Sequence, residues 1–175
     1  MAELTISGDT HPILKDDYAS EWMGIEVVAL DDGHATIRMP LRQEMLNGFG
    51  MAHGGMIFAF GDTAFALACN PASPKPADEG SITVASGVDI NFLKPAFRGQ
   101  ILTAVANRRA STGRSGLYDI QIYAADPNTG APTAPQTAPA GTPQAATVPG
   151  QLPTDLPPGE LVAEFRGRSR TISKK

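Results

Sequence analysis

The chain has 175 residues, 42% of them hydrophobic, which is enough for the core of one domain. Its net charge of −4 argues against nucleic acid as the main partner, and one cysteine with three histidines excludes an intrachain disulfide and predicts no metal site. Because the N-terminus lacks an apolar signal segment and no stretch approaches 18 apolar residues, we expect a cytoplasmic protein that does not associate with a membrane.

The first predicted elements are a short helix and a β-hairpin. Residues 18–23 carry apolar and aromatic side chains at roughly helical spacing, and Gly24 after them is a typical helix stop. The period then changes, so that residues 25–30 and 35–39 are predicted as strands, the second closed by Pro40. An Asp-Asp-Gly turn between the two strands favours an antiparallel hairpin.

One long helix is predicted over residues 54–70. Met56, Phe60 and Ala64 recur every four residues, and Pro71 ends the pattern. Nearly every face of this helix is apolar, which indicates burial on most sides.

Four more strands are predicted after the long helix, over residues 81–93, 101–111, 117–125 and 161–172. A single antiparallel sheet must bury one of its faces, and only the long helix is apolar enough to cover it. The sequence therefore predicts an α+β fold in which one antiparallel sheet wraps around one long central helix.

Residues 126–159 form a tract rich in proline, alanine and threonine. The tract holds nine of the 15 prolines and no basic or aromatic residue, a composition typical of segments that do not pack. We predict a flexible insertion between the last two strands, which leaves about 141 residues for one compact domain.

Common catalytic signatures are absent from the sequence, which directs attention to the start of the long helix. There is no GxSxG elbow and no Walker loop, and His53 replaces the third glycine of a dinucleotide pattern. Gly54 and Gly55 open the helix, where backbone N–H groups lack intrahelical partners and could polarise a carbonyl group. The alternative is that both glycines only permit close packing of the helix on the sheet.

Asp62 is the one charged residue between His53 and Asn70. A carboxylate in a nearly all-apolar helix is costly to bury without a function, although it could also face solvent or bind a loop amide. Seven residues separate it from Gly55, about 10 Å along a helix, so the two groups cannot act on one carbonyl within a single chain. This spacing predicts an oligomer whose active sites are shared between subunits.

Two polar residues precede the long helix, and each has two interpretations. His53 could orient a substrate, or it could cap the helix. Asn47 could hold a water or a carbonyl oxygen, or it could be a turn residue beside Gly48. Cys69 is predicted to be a small core residue because no basic neighbour would lower the pKa of its thiol.

Arginines cluster in two places. The last strand carries three of them at alternate positions, which places their side chains on one face of the sheet: Arg166, Arg168 and Arg170. The simplest interpretation of these three arginines is that the strand is a solvated edge of the sheet. A second group of cations lies near the turn before the strand 117–125 or could reach it: Arg108, Arg109, Arg114, Lys94 and Arg98. Arginine forks suit phosphates, so this second group could meet a phosphate-bearing ligand.

Four segments resemble a known family. They are LNGFGMAHGGMIFAFGDTAFALACN (46–70), INFLKPAFRGQILTA (90–104), GLYDIQIY (116–123) and FRGRSRTI (165–172). Together they are similar to hotdog-fold acyl-CoA thioesterases of the phenylacetic acid degradation subgroup. The likeness extends over nearly the whole chain except the extreme N-terminus and the tract 126–159, and it implies a single hotdog thioesterase domain over residues 1–175.

The resemblance implies a role for each candidate residue. The catalytic set would comprise a carboxylate, a backbone donor and two residues that position thioester and water: Asp62, Gly55, Asn47 and His53. Coenzyme A would lie along a second set: Gly54, Ser86, Gly87, Arg109, Ser111 and Arg114. Side chains that meet across subunits would shape the acyl pocket: Phe49, Met51, Phe60 and Phe65.

The implied reaction is hydrolysis of phenylacetyl-CoA or a ring-hydroxylated relative, with coenzyme A as part of the substrate and no separate cofactor. The implied assembly is a homodimer with shared active sites, paired into a homotetramer. Asp62 would act as general base or as nucleophile, a choice the residues leave open. The alternatives are a thioesterase for other acyl groups, a non-catalytic acyl-CoA binding or sensing protein, and a scaffold based on the tract. A hotdog dehydratase fits less well, because His53 with Asn47 does not supply its histidine–aspartate pair.

Overall fold

The computed structural model describes residues 7–78, 80–127, 157 and 159–174. These residues include helices α1 (Tyr18–Met23) and α2 (Gly54–Cys69) and the 3₁₀ turns Pro12–Leu14, Gln43–Met45 and Pro76–Asp78. The strands among them are β1 (Glu26–Asp31), β2 (His34–Pro40), β3 (Ser81–Phe92), β4 (Ile101–Thr112), β5 (Ser115–Ala125) and β6 (Glu160–Ser173). They form one antiparallel sheet in the order β1-β2-β4-β5-β6-β3, which leaves β1 and β3 at its edges.

Helix α2 covers one face of the sheet, and aromatic side chains fill the space between them. Phe60, Phe65 and Phe165 are at most 1% exposed. The rings of Phe58 and Phe65 on α2 lie 5.5 and 6.2 Å from the ring of Phe165 on β6. Gly167 on the same strand lies beneath Phe65, where an added Cβ would come within 2.8 Å of the ring. Helix and strand therefore approach closely where the strand has no side chain.

The short helix α1 ends as the sequence predicts. Gly24 adopts the left-handed conformation, with φ of 70°, that terminates many helices. The Arg42 guanidinium donates hydrogen bonds to the carbonyl oxygens of Trp22 at 2.6 Å and Met23 at 3.0 Å, and it lies over the Trp22 ring. These contacts satisfy two of the carbonyls that a helix end leaves without partners.

The predicted α+β architecture is confirmed, with one antiparallel sheet around one long helix. The predicted helix over 54–70 ends one residue earlier, because Asn70 has an extended backbone and caps the last turn. The interpretation of the last strand as a solvated edge is wrong, since β6 lies between β5 and β3. Its three arginines are exposed because they point away from α2, on the outer face of the sheet.

Most of the predicted insertion, residues 128–156 and 158, lies outside the described residues. The strands on either side of it are antiparallel neighbours, with Ala124 opposite Glu160. The flexible insertion and the single domain over 1–175 stay predictions. Among the helices that the structure describes, none has the length and apolar character needed to cross a membrane.

Candidate active site

The N-terminus of α2 is capped by the residue before it. His53 has an extended backbone, and its Nδ1 atom accepts a hydrogen bond of 3.0 Å from the Gly55 N–H. The N–H groups of Met56 and Ile57 donate to the His53 carbonyl oxygen at 2.8 and 3.2 Å. Within the described residues, the Gly54 N–H is therefore the one donor of this first turn that makes no hydrogen bond.

The two glycines at the start of α2 therefore differ in the hydrogen bonding of their N–H groups. The Gly55 N–H, expected as the donor to a substrate carbonyl, is already bonded to His53, which takes the capping role that the sequence left open. Gly54 lies against the Phe92 ring, 3.2 Å from the position of an added Cβ. Its N–H is the group of the pair that can receive an incoming acceptor.

Asn47 organises the loop before α2. Its Oδ1 atom accepts hydrogen bonds from the N–H groups of Phe49 at 2.9 Å and Met51 at 3.2 Å, and its backbone N–H donates to the Met51 carbonyl oxygen at 2.8 Å. The turn-residue interpretation is thus confirmed, and the Nδ2 amide is what remains for contact with a ligand. The loop ends at His53, whose N–H donates to the Met45 carbonyl oxygen at 2.8 Å.

Asp62 lies in the middle of α2 and is partly buried. In the part of the chain that the structure describes, its carboxylate forms no hydrogen bond and no ion pair. Burial raises the pKa of this carboxyl group above its usual value, because the charged form loses solvation. Eight residues separate Asp62 from Gly54, about 12 Å along a helix, so one chain does not bring the two groups together.

The helix face that carries Asp62 is not covered by the sheet. Its other members are small and are exposed or partly buried: Gly55, Ala59, Ala66 and Cys69. Large apolar side chains near the start of α2 are also exposed: Phe49 at 86%, Phe92 at 53%, Leu93 at 50% and Phe97 at 48%. Beside them, β3 is a 12-residue strand at the edge of the sheet. This combination is typical of a surface that another chain covers.

Comparison with known proteins adds to this geometry. A family model described as Thioesterase superfamily matches residues 49–131. Over 114 residues the chain is 39% identical to the acyl-coenzyme A thioesterase PaaI of Escherichia coli (strain K12), a match that covers 65% of this chain and 76% of that relative. The chain belongs to the thioesterase superfamily.

Solved structures of other proteins share the fold of this thioesterase. The Escherichia coli PaaI protein from the phenylacetic acid degradation operon superposes with a TM-score of 0.68 at 30% identity, covering 95% of this chain and 93% of that one. The smu.793 protein of Streptococcus mutans UA159 shares the fold at 17% identity, with a TM-score of 0.58 over 86% of this chain and 90% of that one. The hotdog fold is thereby confirmed, and the chain is a thioester hydrolase.

The residues expected to bind coenzyme A occupy three places in this thioesterase. Gly87 lies against the Arg168 guanidinium and Ser86 donates to the Arg168 carbonyl oxygen at 3.0 Å. Arg109 pairs with Asp119 at 2.7 Å, also on the outer face of the sheet. Ser111 and Arg114 instead line a cavity at the C-terminal end of α2, and Gly54 lies at the opposite end of that helix.

Two of the side chains expected in the acyl pocket are unavailable to a ligand. Phe60 is 0% and Phe65 is 1% exposed, because both pack in the core of their own chain. Phe49 and Met51 remain at the surface, in the loop that Asn47 holds. The walls of an acyl pocket must therefore come from the loop and from the exposed aromatic residues beside it.

The C-terminal end of α2 depends on two residues that the sequence analysis did not single out. The Asn70 amide donates to the Thr83 carbonyl oxygen at 2.9 Å and accepts from its N–H at 3.0 Å, which joins α2 to β3. His11, which is 0% exposed, places its Nε2 atom 3.1 Å from the Asn70 carbonyl oxygen, and its Nδ1 atom accepts from the Ile13 N–H. Neither role could be read from local sequence, since Thr83 and His11 are both distant from Asn70 in the chain.

Cys69 is not a nucleophile in this site. Burial raises the pKa of its thiol to about 12, with a smaller contribution from the nearby Asp62 charge, so the thiol is neutral at physiological pH. The described residues also contain no group of three or more His, Cys, Asp or Glu side chains that could hold a metal ion.

Proposed function

We propose that this thioesterase hydrolyses an acyl-coenzyme A, with phenylacetyl-CoA or a ring-hydroxylated relative as substrate and the free acid and coenzyme A as products. The observation that carries the proposal is Asp62, an unpaired carboxylate on an uncovered apolar helix face. The Escherichia coli relative at 39% identity, named acyl-coenzyme A thioesterase PaaI, supports the substrate class. The exposed aromatic residues around the start of α2 suit an aryl group.

The proposed active site is shared between two copies of the chain. Gly54 of one copy supplies the N–H donor, and Asp62 of the other supplies the carboxylate, because about 12 Å separates these groups within one helix. The uncovered face of α2, the edge strand β3 and the exposed side chains of Phe49 and Phe92 support a homodimer, because each is a feature that another chain can cover. Pairing of two such dimers into a tetramer is part of the same proposal.

In the proposed mechanism the Gly54 N–H polarises the thioester carbonyl and stabilises the oxyanion that forms on it. Asp62 then has two possible roles. As a general base it takes a proton from water, whose oxygen attacks the carbonyl carbon, and the sulfur of coenzyme A leaves and is protonated. As a nucleophile it attacks the carbonyl carbon itself, the coenzyme A thiolate leaves and is protonated, and water hydrolyses the resulting mixed anhydride. The Asn47 Nδ2 amide, whose Oδ1 is engaged by the loop, holds the water or the thioester in this proposal.

The two roles of Asp62 predict different isotope patterns. In a single turnover in ¹⁸O-labelled water, a nucleophilic carboxylate retains label after the anhydride is hydrolysed at its own carbon. A general base leaves the aspartate unlabelled and delivers the label to the phenylacetate. Label in the peptide that contains Asp62, detected by mass spectrometry, therefore establishes the nucleophilic role, because a pure general base gives none.

The proposal predicts that Asp62→Asn lowers kcat for phenylacetyl-CoA by about 10²- to 10⁴-fold, the usual loss when an acid–base group is removed. Thr63→Ala is the matched control, because Thr63 is a partly buried polar neighbour on the same helix, and its hydroxyl contacts only groups of the same chain away from Asp62, the Ala59 carbonyl oxygen at 3.2 Å and the Ser20 hydroxyl at 3.4 Å. Circular dichroism verifies that both variants fold. Near-wild-type kcat in a folded Asp62→Asn variant contradicts the proposal, and tight acyl-CoA binding with no turnover by the wild type would favour a binding protein.

A further inference from the structure

An open cavity of about 970 Å³ lies at the C-terminal end of α2. Its walls come from six parts of the chain: the segment before α1, the β1–β2 turn, the end of α2 with the loop after it, the start of β3, the β4–β5 turn and the end of β6. Five cationic side chains line it: Lys15, Lys75, Arg108, Arg114 and Lys174. Because the walls are distant in sequence, the cluster exists only in the folded chain.

The cavity is electropositive in a protein whose net charge is −4. Three carboxylates share its lining with the five cations, which leaves an excess of two positive charges: Asp31, Asp32 and Asp78. Asp32 is paired with Arg108 at 2.7 and 3.0 Å, and this bond lowers the pKa of the Asp32 carboxyl group. The other four cations form no ion pair within the described residues. A concave surface with unpaired cations concentrates anions.

The outer face of the sheet is a weaker candidate for anion binding. Asp119 bridges Arg109 and Arg166 there at 2.7 Å to each, and Arg168 pairs with Asp89 at 2.6 Å. These guanidinium groups already have carboxylate partners. The cavity, where Arg114 and Ser111 stand beside unpaired lysines, is the better match for a ligand with several phosphates.

The distance between the cavity and Asp62 suits a substrate that reaches both. Cys69 borders the cavity and follows Asp62 by seven residues, so both lie on the same face of α2, about 10 Å apart. Gly54 of the same chain is 15 residues from Cys69, about 22 Å away. A substrate with its thioester at Asp62 and its charged end in the cavity needs an extended arm between the two, which is the architecture of an acyl-CoA.

We propose that the chain that supplies Asp62 also binds the phosphorylated end of the substrate, in this cavity, through Lys15, Lys75, Arg114 and Lys174, while the second copy supplies Gly54. The inference rests on the proposed acyl-CoA substrate. It assigns each end of the substrate to a particular subunit, and it gives binding roles to three lysines outside the segments that resemble the family.

Binding of adenosine 3′,5′-bisphosphate, measured by calorimetry, tests the cavity without requiring turnover. We expect Lys75→Gln/Lys174→Gln to raise Kd about threefold to tenfold, the effect of losing two exposed charge contacts. Arg170→Gln is the matched control, since it removes a charge from the outer face of β6, and its Kd should stay within about twofold of wild type. Equal Kd values for all three proteins, or no binding by wild type at millimolar concentration, overturn the inference.

Two thioesters separate recognition of the phosphates from the chemistry. The double lysine variant should show a raised KM for phenylacetyl-CoA and an unchanged KM for phenylacetyl-pantetheine, which has the same reacting group and no phosphates. A parallel rise for both substrates overturns the inference. If the wild type hydrolyses no acyl-CoA but bisphosphate binding is still lost in the double variant, the proposed function fails and the cavity assignment stands. If the wild type hydrolyses acyl-CoA but binds the bisphosphate no more tightly than the double variant does, the cavity assignment fails and the proposed function stands.

Mixed dimers test which subunit holds the charged end. In one mixture, the first chain carries Gly54→Pro together with the lysine substitutions, and its partner carries Asp62→Asn. The one complete site of this dimer then takes Asp62 from the chain whose cavity is altered and Gly54 from the partner. In the other mixture the lysine substitutions are placed on the Asp62→Asn chain. We expect a raised KM for phenylacetyl-CoA only in the first mixture. Equal KM values, or a rise only in the second, overturn the assignment.

Discussion

Gly54 and Gly55 are adjacent and chemically identical, yet the side chain before them makes their N–H groups different. His53 is two residues from Gly55, the distance at which a capping side chain reaches back to a helix N–H, and its ring accepts that bond. Gly54 is too close to His53 in the chain to be capped by it, so its N–H stays available. One residue thus decides which glycine can meet a substrate.

Gly54→Pro should therefore lower kcat about 10²- to 10³-fold, the usual effect of removing one oxyanion donor. Proline lacks the N–H but is favoured as the first residue of a helix, the position that Gly54 occupies, so α2 should still form. Gly54→Ala is the control because it adds similar bulk beside Phe92 and keeps the N–H. Steady-state rates that fall equally in both variants would assign the loss to bulk alone and refute the donor role.

At the scale of elements, α2 is held at its inner face and at its C-terminal end. Its inner face packs on β6 at Gly167, and the side-chain amide of Asn70 at its end makes two hydrogen bonds to the backbone of Thr83 on β3. His11 joins the segment before α1 to the same end of the helix. These contacts fix the orientation of α2, and with it the direction in which Asp62 points.

The close contact at Gly167 predicts that Gly167→Ala destabilises the fold by about 1–3 kcal/mol, as overpacking of a core does. The added Cβ would lie 2.8–2.9 Å from the Phe65 ring, which has no room to retreat because it is 1% exposed. Gly48→Ala is the control, since nothing lies within 4 Å of its added Cβ. Urea unfolding of both variants measures the difference, and equal midpoints would refute the packing argument.

His11 predicts a pH dependence of stability. Burial lowers the pKa of its imidazole from the usual 6.5, so below that pH the unfolded chain binds more protons than the folded one. The stabilising contribution is complete above about pH 6.5, and it is lost as the pH falls from there through the lowered pKa. Denaturant unfolding between pH 7.5 and about 5 should show a smaller slope against pH for His11→Gln than for wild type. Identical slopes would show that His11 is not responsible.

At the scale of the whole molecule, one copy of the chain cannot complete the site that we propose. Asp62 and Gly54 are fixed on one rigid helix about 12 Å apart, so no side-chain motion can bring them to the same carbonyl. The uncovered face of α2 and the unpaired edge of β3 offer a second copy the surface it needs.

A shared site predicts complementation between inactive variants. Gly54→Pro and Asp62→Asn chains, each inactive as a homodimer, should regain about a quarter of wild-type activity when they are mixed and allowed to exchange subunits. Random exchange makes half of the dimers mixed, and each mixed dimer has one intact site of two. Activity that stays at the level of the separate variants would contradict a two-chain site.

The sequence by itself determined the elements of this thioesterase and the residues worth testing. The apolar run that became α2, the turn signals beside each strand and the lone carboxylate at Asp62 are local patterns, and local patterns are what periodicity and turn chemistry report. The spacing between the helix start and Asp62 was also readable, because helix geometry converts residue number into distance.

Only the tertiary structure decided which of these residues are free to act and which of them meet. It placed β6 inside the sheet, buried Phe60 and Phe65, bonded the Gly55 N–H to His53, and divided the expected coenzyme A residues between the outer face and a cavity. The lysines of that cavity are 60 and 99 positions apart in the numbering: Lys15, Lys75 and Lys174. Their proximity depends on how distant segments pack, which no local pattern encodes.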